Sequence, residues 1–167
     1  MSAIGKAYGK IILMGEHSVV YGQPAIAMPF SAVEIIAKVT AQGEALSVDC
    51  DFYKGLVHKM PKIWESLKHA IRFSLYRIGA PTDPAIHIKI SSTIPAERGM
   101  GSSAAVAVAV ARALFAHYEK ILTDKELWEI VQSSEKIAHG NPSGIDAATT
   151  SGKSPVFFIK NQPMEPL

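Results

Sequence analysis

A chain of 167 residues with 48% hydrophobic content is long enough to bury a core, which excludes a disordered or collagen-like class. Its 17 Lys and Arg against 15 Asp and Glu are scattered, leave a formal charge of +2, and form no basic stripe interleaved with aromatic residues, so nucleic acid is not an expected partner. The single cysteine, Cys50, excludes an internal disulfide and reads as a buried or half-buried neighbour of a strand rather than as a nucleophile.

Residues 11–14 form a short apolar run, too short for a signal-peptide core, and Lys10 to Met14 read as a strand ending at Gly15. Residues 19–24 turn the chain toward Ala25, residues 33–40 are rich in Val and Ile and predict a longer strand, and another follows near 45–48. Ile63, Leu67, Ile71, Leu75 and Ile78 then fall three or four apart, predicting a helix over 61–77 with Pro61 near its start and Gly79-Ala80-Pro81 as its stop. Ile86, Ile88 and Ile90 alternate with His87 and Lys89, the pattern of a strand with one wet face and an exposed His87.

The stretch after Gly101 is rich in alanine and valine and predicts a helix covered around most of its girth. It is too short to span a membrane and contains Arg112, so a cytoplasmic protein without a membrane partner is expected. Thr123-Asp124-Lys125-Glu126 is a capping-box sequence that opens a helix through about Ile137, with Glu135 on its last turn. Residues 139–144 turn, 145–150 read as helical and 155–160 as a strand, while 161–167 carry no closing signal. Without an internal repeat or low-complexity linker, residues 1–167 read as one domain.

Residues 95–105, Pro-Ala-Glu-Arg-Gly-Met-Gly-Ser-Ser-Ala-Ala, run from a glycine-rich turn straight into an apolar helix. Such a turn leaves backbone N–H groups pointing at one spot beside the positive end of the helix dipole, an arrangement that holds phosphate. No Gly-Lys-Ser/Thr follows, so it is not a Walker A loop, and the dinucleotide spacing fails at Ala104. A plain turn with Ser102 or Ser103 as helix cap is the structural alternative.

Kinase chemistry needs positioning and charge stabilisation, and the chain carries the parts for it. A hydroxyl and a carboxylate can hold Mg²⁺, and a second carboxylate can orient or deprotonate an attacking alcohol. Glu135 and Asp146 both sit beside turns, although Glu135 could be a surface helix residue and Asp146 a helix-start carboxylate beside Ser143. Lys10 could serve a phosphate or the catalytic carboxylate, or be a solvated strand lysine. Glu16 and His17 could hydrogen-bond a hydroxylated substrate or simply cap a turn. His17 lacks a companion at zinc-ligand spacing, and His139 reads as a hydrogen-bonded turn residue.

Three segments taken together, Lys10 through Gly15-Glu16-His17-Ser18-Val19-Val20-Tyr21-Gly22, residues 95–105, and Glu135 through His139-Gly140-Asn141-Pro142-Ser143-Gly144-Ile145-Asp146, resemble the mevalonate kinase family of the GHMP kinase superfamily. The resemblance implies an α/β two-layer fold of the ribosomal protein S5 domain 2-like type, with a mixed sheet and long helices. It also implies ATP-dependent, Mg²⁺-dependent phosphorylation of the 5-hydroxyl of (R)-mevalonate in isoprenoid synthesis. By matching positions, Asp146 is the catalytic aspartate with Lys10 as its charge partner, and Glu135 and Ser103 are the Mg²⁺ ligands. Gly99, Gly101, Ser102 and Ser103 form the triphosphate loop, while Glu16 and His17 recognise mevalonate.

Met100 stands where many members of that family have leucine, a swap of similar size and flexibility. Family members continue through a second domain, so the resemblance implies an N-terminal portion that turns over mevalonate poorly by itself and associates with a separate C-terminal piece or with itself. The competing expectations are a related kinase acting on phosphomevalonate, homoserine or a sugar, and a non-catalytic nucleotide-binding or partner-binding module.

Overall fold

The computed structural model describes residues 2–93 and 102–167. Two long strands, β1 (Ser2–Met14) and β2 (Ala25–Thr40), pair antiparallel along their lengths. Strands β3 (Ser47–Cys50) and β4 (Tyr53–Leu56) form a hairpin, and after α1 (Glu65–Ile78) strand β5 (His87–Ser92) enters between β3 and β2, parallel to the first and antiparallel to the second. Helices α2 (Ser102–His117), α3 (Asp124–His139) and α4 (Ile145–Ser151) follow, and the short strands β6 (Val156–Phe158) and β7 (Glu165–Pro166) complete a seven-stranded mixed sheet. One side of β2 is taken by β1, and the other is shared by β6 at its first residues and β5 at its last.

The second layer is built on α2, which packs on β1 and β2 and is flanked by α1 and α3. Its alanine and valine content has a direct consequence: Ala104, Ala105, Val108, Ala109, Val110, Ala111, Ala113 and Leu114 are all without exposure. Helix α2 lies so close to β1 that a Cβ on Gly5 would come 2.1 Å from the Ala109 carbonyl oxygen and 2.4 Å from the Ala113 nitrogen. Because those are backbone atoms of a buried helix, Gly5→Ala is expected to destabilise the fold by about 2–3 kcal/mol, read as a lower urea midpoint at unchanged slope. A midpoint equal to that of the parent chain would show that β1 and α2 separate freely.

Most sequence-predicted elements are present, with informative differences. The strand at 10–14 is the end of a 13-residue strand, and the runs at 25–28 and 33–40 are one strand of 16 residues. The pairing shifts register between Tyr8 and Gly9, where β2 skips from Glu34 to Phe30. At the same point the alternation of buried residues breaks, and Gly9 and Lys10 are buried in succession.

The helix predicted from residue 61 is preceded by a 3₁₀ turn, Lys62–Trp64, that leaves Ile63 79% exposed although it kept the period. His87 is half-buried rather than exposed, with Nδ1 2.9 Å from the Ser47 hydroxyl oxygen, because β3 pairs beside β5 in the register Ser47↔His87. The Thr123–Glu126 capping box forms reciprocally, and Cys50 is half-buried on β3 as expected. The C-terminal residues, given no element by the sequence, pair with β6. Among the described residues, no helix is long and apolar enough to cross a membrane.

Candidate active site

Four elements converge beside the N-terminal end of α2. Strand β1 brings Lys10, the first turn of α2 brings Ser103, the C-terminal part of α3 brings Glu135, and the first turn of α4 brings Asp146. Gly144, at φ 97°, lets the chain reverse between α3 and α4, and the Ser143 hydroxyl accepts from the Ile145 N–H as α4 begins. That reversal places Asp146 against β1, where its Oδ1 lies 3.0 Å from Lys10 Nζ. Lys10 is only 6% exposed, so the ammonium is taken out of water where it meets the carboxylate.

Glu135 is 1% exposed. Burial pushes its carboxyl above the ordinary value of 4.5, the negative charge of Asp146 adds to the rise, and a hydrogen bond from Ser103, the His139 ring and the Lys10 ammonium oppose it. Among the described residues, one of its oxygens, Oε1, is buried without a hydrogen-bond partner. A buried carboxylate oxygen with no donor is costly in a native fold unless something cationic or donating fills the place.

The donor set suits a hard divalent ion: one buried carboxylate, a neighbouring hydroxyl and a second carboxylate close by. Among the described residues, no cluster of three His, Cys, Asp or Glu could hold a metal without help. Mg²⁺ fits that pattern, since it is ordinarily held by one or two carboxylates and completed by phosphate oxygens and water.

Two cavities meet the cluster. One of about 310 Å³ is lined by Val20, Gln132, Glu135, His139, Asn141, Ser143 and Asp146 among others. The other, about 650 Å³, runs between β5, α1 and α2, with Ile35, Phe52, Trp64, Leu67, Ile90 and Val106 in its wall and Ser66, Ser92, Ser103 and Ser134 among its polar lining. Phe52 and Trp64 stack there with ring centroids 5.4 Å apart.

Of the residues singled out in the sequence, Lys10, Ser103, Glu135 and Asp146 are thus brought together. Glu16 and His17 are exposed on the turn after β1; Val20 of the same turn lines the smaller cavity, but neither of them does. Gly99 and Gly101 lie outside the described residues, and Ser102 is the first residue of α2.

The sequence reading missed four contributors. His139, expected to be only a turn residue, ends α3 with Nε2 3.6 Å from Glu135 Oε2 and 3.5 Å from Ser103 Oγ. Gln132, one turn earlier and lining the smaller cavity, has a buried Oε1 without a hydrogen-bond partner among the described residues. Their spacing from Glu135, three before and four after, is a helical-face signal that was available in the sequence. Phe52 and Trp64 carried no such signal, because the aromatic wall is made by the tertiary fold.

Residues 63–153 match the family model described as the GHMP kinases N terminal domain. The chain belongs to the GHMP kinases. This GHMP kinase domain is 32% identical to the mevalonate kinase of Pyrococcus horikoshii over 98% of its own length and 53% of that relative. It is 38% identical to the solved mevalonate kinase from methicillin-resistant Staphylococcus aureus, with a TM-score of 0.71 over 99% of this chain and 55% of the other. The mevalonate kinase of Methanococcus jannaschii shares the fold at a TM-score of 0.85 and 24% identity, covering 100% of this chain and 56% of that one. This GHMP kinase domain therefore spans about half the length of the relatives it matches, and its two-layer α/β architecture is theirs.

Proposed function

We propose that this chain carries the phosphate-handling half of a kinase that transfers the γ-phosphoryl group of ATP to the 5-hydroxyl of (R)-mevalonate. The observation that carries the reading is the buried Glu135 carboxylate, with its unpartnered oxygen, set beside Ser103 and the Lys10–Asp146 ion pair at the start of α2. Glu135 and Ser103 would hold Mg²⁺ there, and Ser102, Gly99 and Gly101 belong to the loop expected to cradle the phosphates. Bound Mg²⁺ supplies charge neutralisation to the phosphate oxygens.

Asp146 accepts a hydrogen bond from the attacking hydroxyl and orients it. Lys10 holds Asp146 in place and offsets charge that gathers on the transferring oxygens. The largely apolar cavity that Ser103 helps to line suits a nucleotide base, with Phe52 and Trp64 as its flat wall. Glu16 and His17, on the turn next to the smaller cavity, are the proposed contacts to the acid end of mevalonate. The names of the sequence relatives favour mevalonate over phosphomevalonate, homoserine or a sugar.

Two measurements test this. ADP release with ATP and a panel of acceptors should respond to (R)-mevalonate and not to phosphomevalonate, homoserine or galactose; a preference for another acceptor would replace the substrate assignment. With Trp128→Phe leaving Trp64 as the only tryptophan, fluorescence should be quenched by Mg²⁺-ATP, and Trp64→Ala should weaken ATP binding about tenfold. Saturable quenching of Trp64 by galactose or mevalonate without nucleotide would move the base out of this cavity.

A further inference from the structure

Arg112 interrupts the most apolar helix of the chain and plays no part in the site described above. On α2 it reaches in two directions at once. Nη1 donates to the Lys6 carbonyl on β1 at 2.7 Å, and Nη2 donates to the Ser151 carbonyl at the end of α4 at 2.7 Å. Strand β1 also carries Lys10, and α4 also carries Asp146. One planar guanidinium therefore ties together the two elements that hold the two halves of the ion pair.

We propose that Arg112 is a positioning residue that sets the Lys10–Asp146 geometry, an inference that rests on Asp146 working on the acceptor hydroxyl. Helix α4 has seven residues, too few to hold its own direction. The hydroxyls of Thr149, Thr150 and Ser151 donate back to α4's own carbonyls rather than to a neighbouring element among the described residues. Its apolar residues Ile145 and Ala148 pack with Val19, Ala25, Val156 and Phe158, and Ala147 packs in the main core, contacts that bury the helix but are non-directional. Two short charge-assisted bonds in a rigid fork fix both distance and direction, and the positive charge sits at the negative end of the α4 dipole.

The test compares Arg112→Lys and Arg112→Met with the parent chain. Lysine keeps the charge and the aliphatic stem, but one ammonium cannot span both carbonyls. Arg77→Met, which removes the contacts of Arg77 with Glu126 and Glu129 between α1 and α3, serves as a control for general loosening. Three readouts are taken: the ¹⁵N resonance of the Lys10 ammonium, amide exchange along α4, and single-turnover phosphoryl transfer with the KM for ATP.

In both Arg112 variants, and not in Arg77→Met, the Lys10 resonance should shift or vanish and α4 amides should exchange about tenfold faster than those of α3. Transfer should slow about tenfold with the KM for ATP within about twofold, lysine giving no rescue. An unchanged Lys10 resonance in both variants would overturn the inference. So would unchanged transfer where Asp146→Asn abolishes it. If Asp146→Asn also leaves transfer unchanged, the fault lies in the catalytic reading of Asp146 instead.

Discussion

Asp146→Asn is expected to lower phosphoryl transfer to mevalonate by about 10³-fold while leaving ATP affinity within about twofold. The amide keeps the shape of the side chain but loses the full charge that faces Lys10 at 3.0 Å and the basicity needed by the attacking hydroxyl. Because Lys10 is nearly buried, the same change removes a carboxylate from beside a desolvated ammonium, and a stability loss on the order of 2 kcal/mol accompanies it. Activity is therefore measured well below the melting temperature of the variant.

A double-mutant cycle with Lys10→Met separates the two effects. If the residues act as a unit, the double variant is about as slow as either single one, and part of the lost stability returns. Multiplicative rate losses would mean that Lys10 and Asp146 serve the reaction independently.

Glu135→Gln carries the second large effect, and its two consequences have opposite signs. The Mg²⁺ concentration for half-maximal ATP binding is expected to rise about 100-fold, because the buried charged oxygen that suits the ion is replaced by a neutral one. Without Mg²⁺ the variant should be more stable than the parent at neutral and alkaline pH.

Burial raises the Glu135 carboxyl above its ordinary 4.5, so between that value and the folded-state one the native chain binds more protons than the unfolded chain. Stability then falls as pH rises through that window. Glutamine has no proton to lose, so the stability gap should open as pH climbs and close below about 4.5. Adding Mg²⁺ should stabilise the parent more than the variant and narrow the gap. Thermal melts across pH with and without the ion decide this; identical Mg²⁺ titrations for the two proteins would remove Glu135 from the ion site.

Much of the fold was legible because its signals are local. The capping box at Thr123 needs only the residues from Thr123 to Glu126, and the small residues of α2 report, by themselves, a helix with neighbours on nearly every side. Glu135 and Asp146 could be named as candidates because each reads as lying beside a turn, and Ser103 because the family resemblance puts it in the glycine-serine segment.

Lys10 was a different case. As a strand residue with an apolar run after it, it read equally as solvated, and what turned it inward is the break in burial at Gly9 and Lys10 beside the register shift against β2. That shift depends on a strand more than 15 residues further along. His87 shows the same dependence: its alternating strand was correct, but the exposure of its wet face was decided by Ser47 across a parallel pairing.

The sequence by itself determined the helix boundaries set by caps and glycines, the apolar faces and the family. These follow from residue type and near-neighbour spacing, where a single chemical preference acts over one or two turns. Only the tertiary structure decided which charges are buried together, that Phe52 and Trp64 share a wall, and that Arg112 joins β1 to α4. Those relations join residues 12 to 136 positions apart, and their energies come from desolvation and directional bonds that exist only once strand register and helix packing have placed the groups side by side.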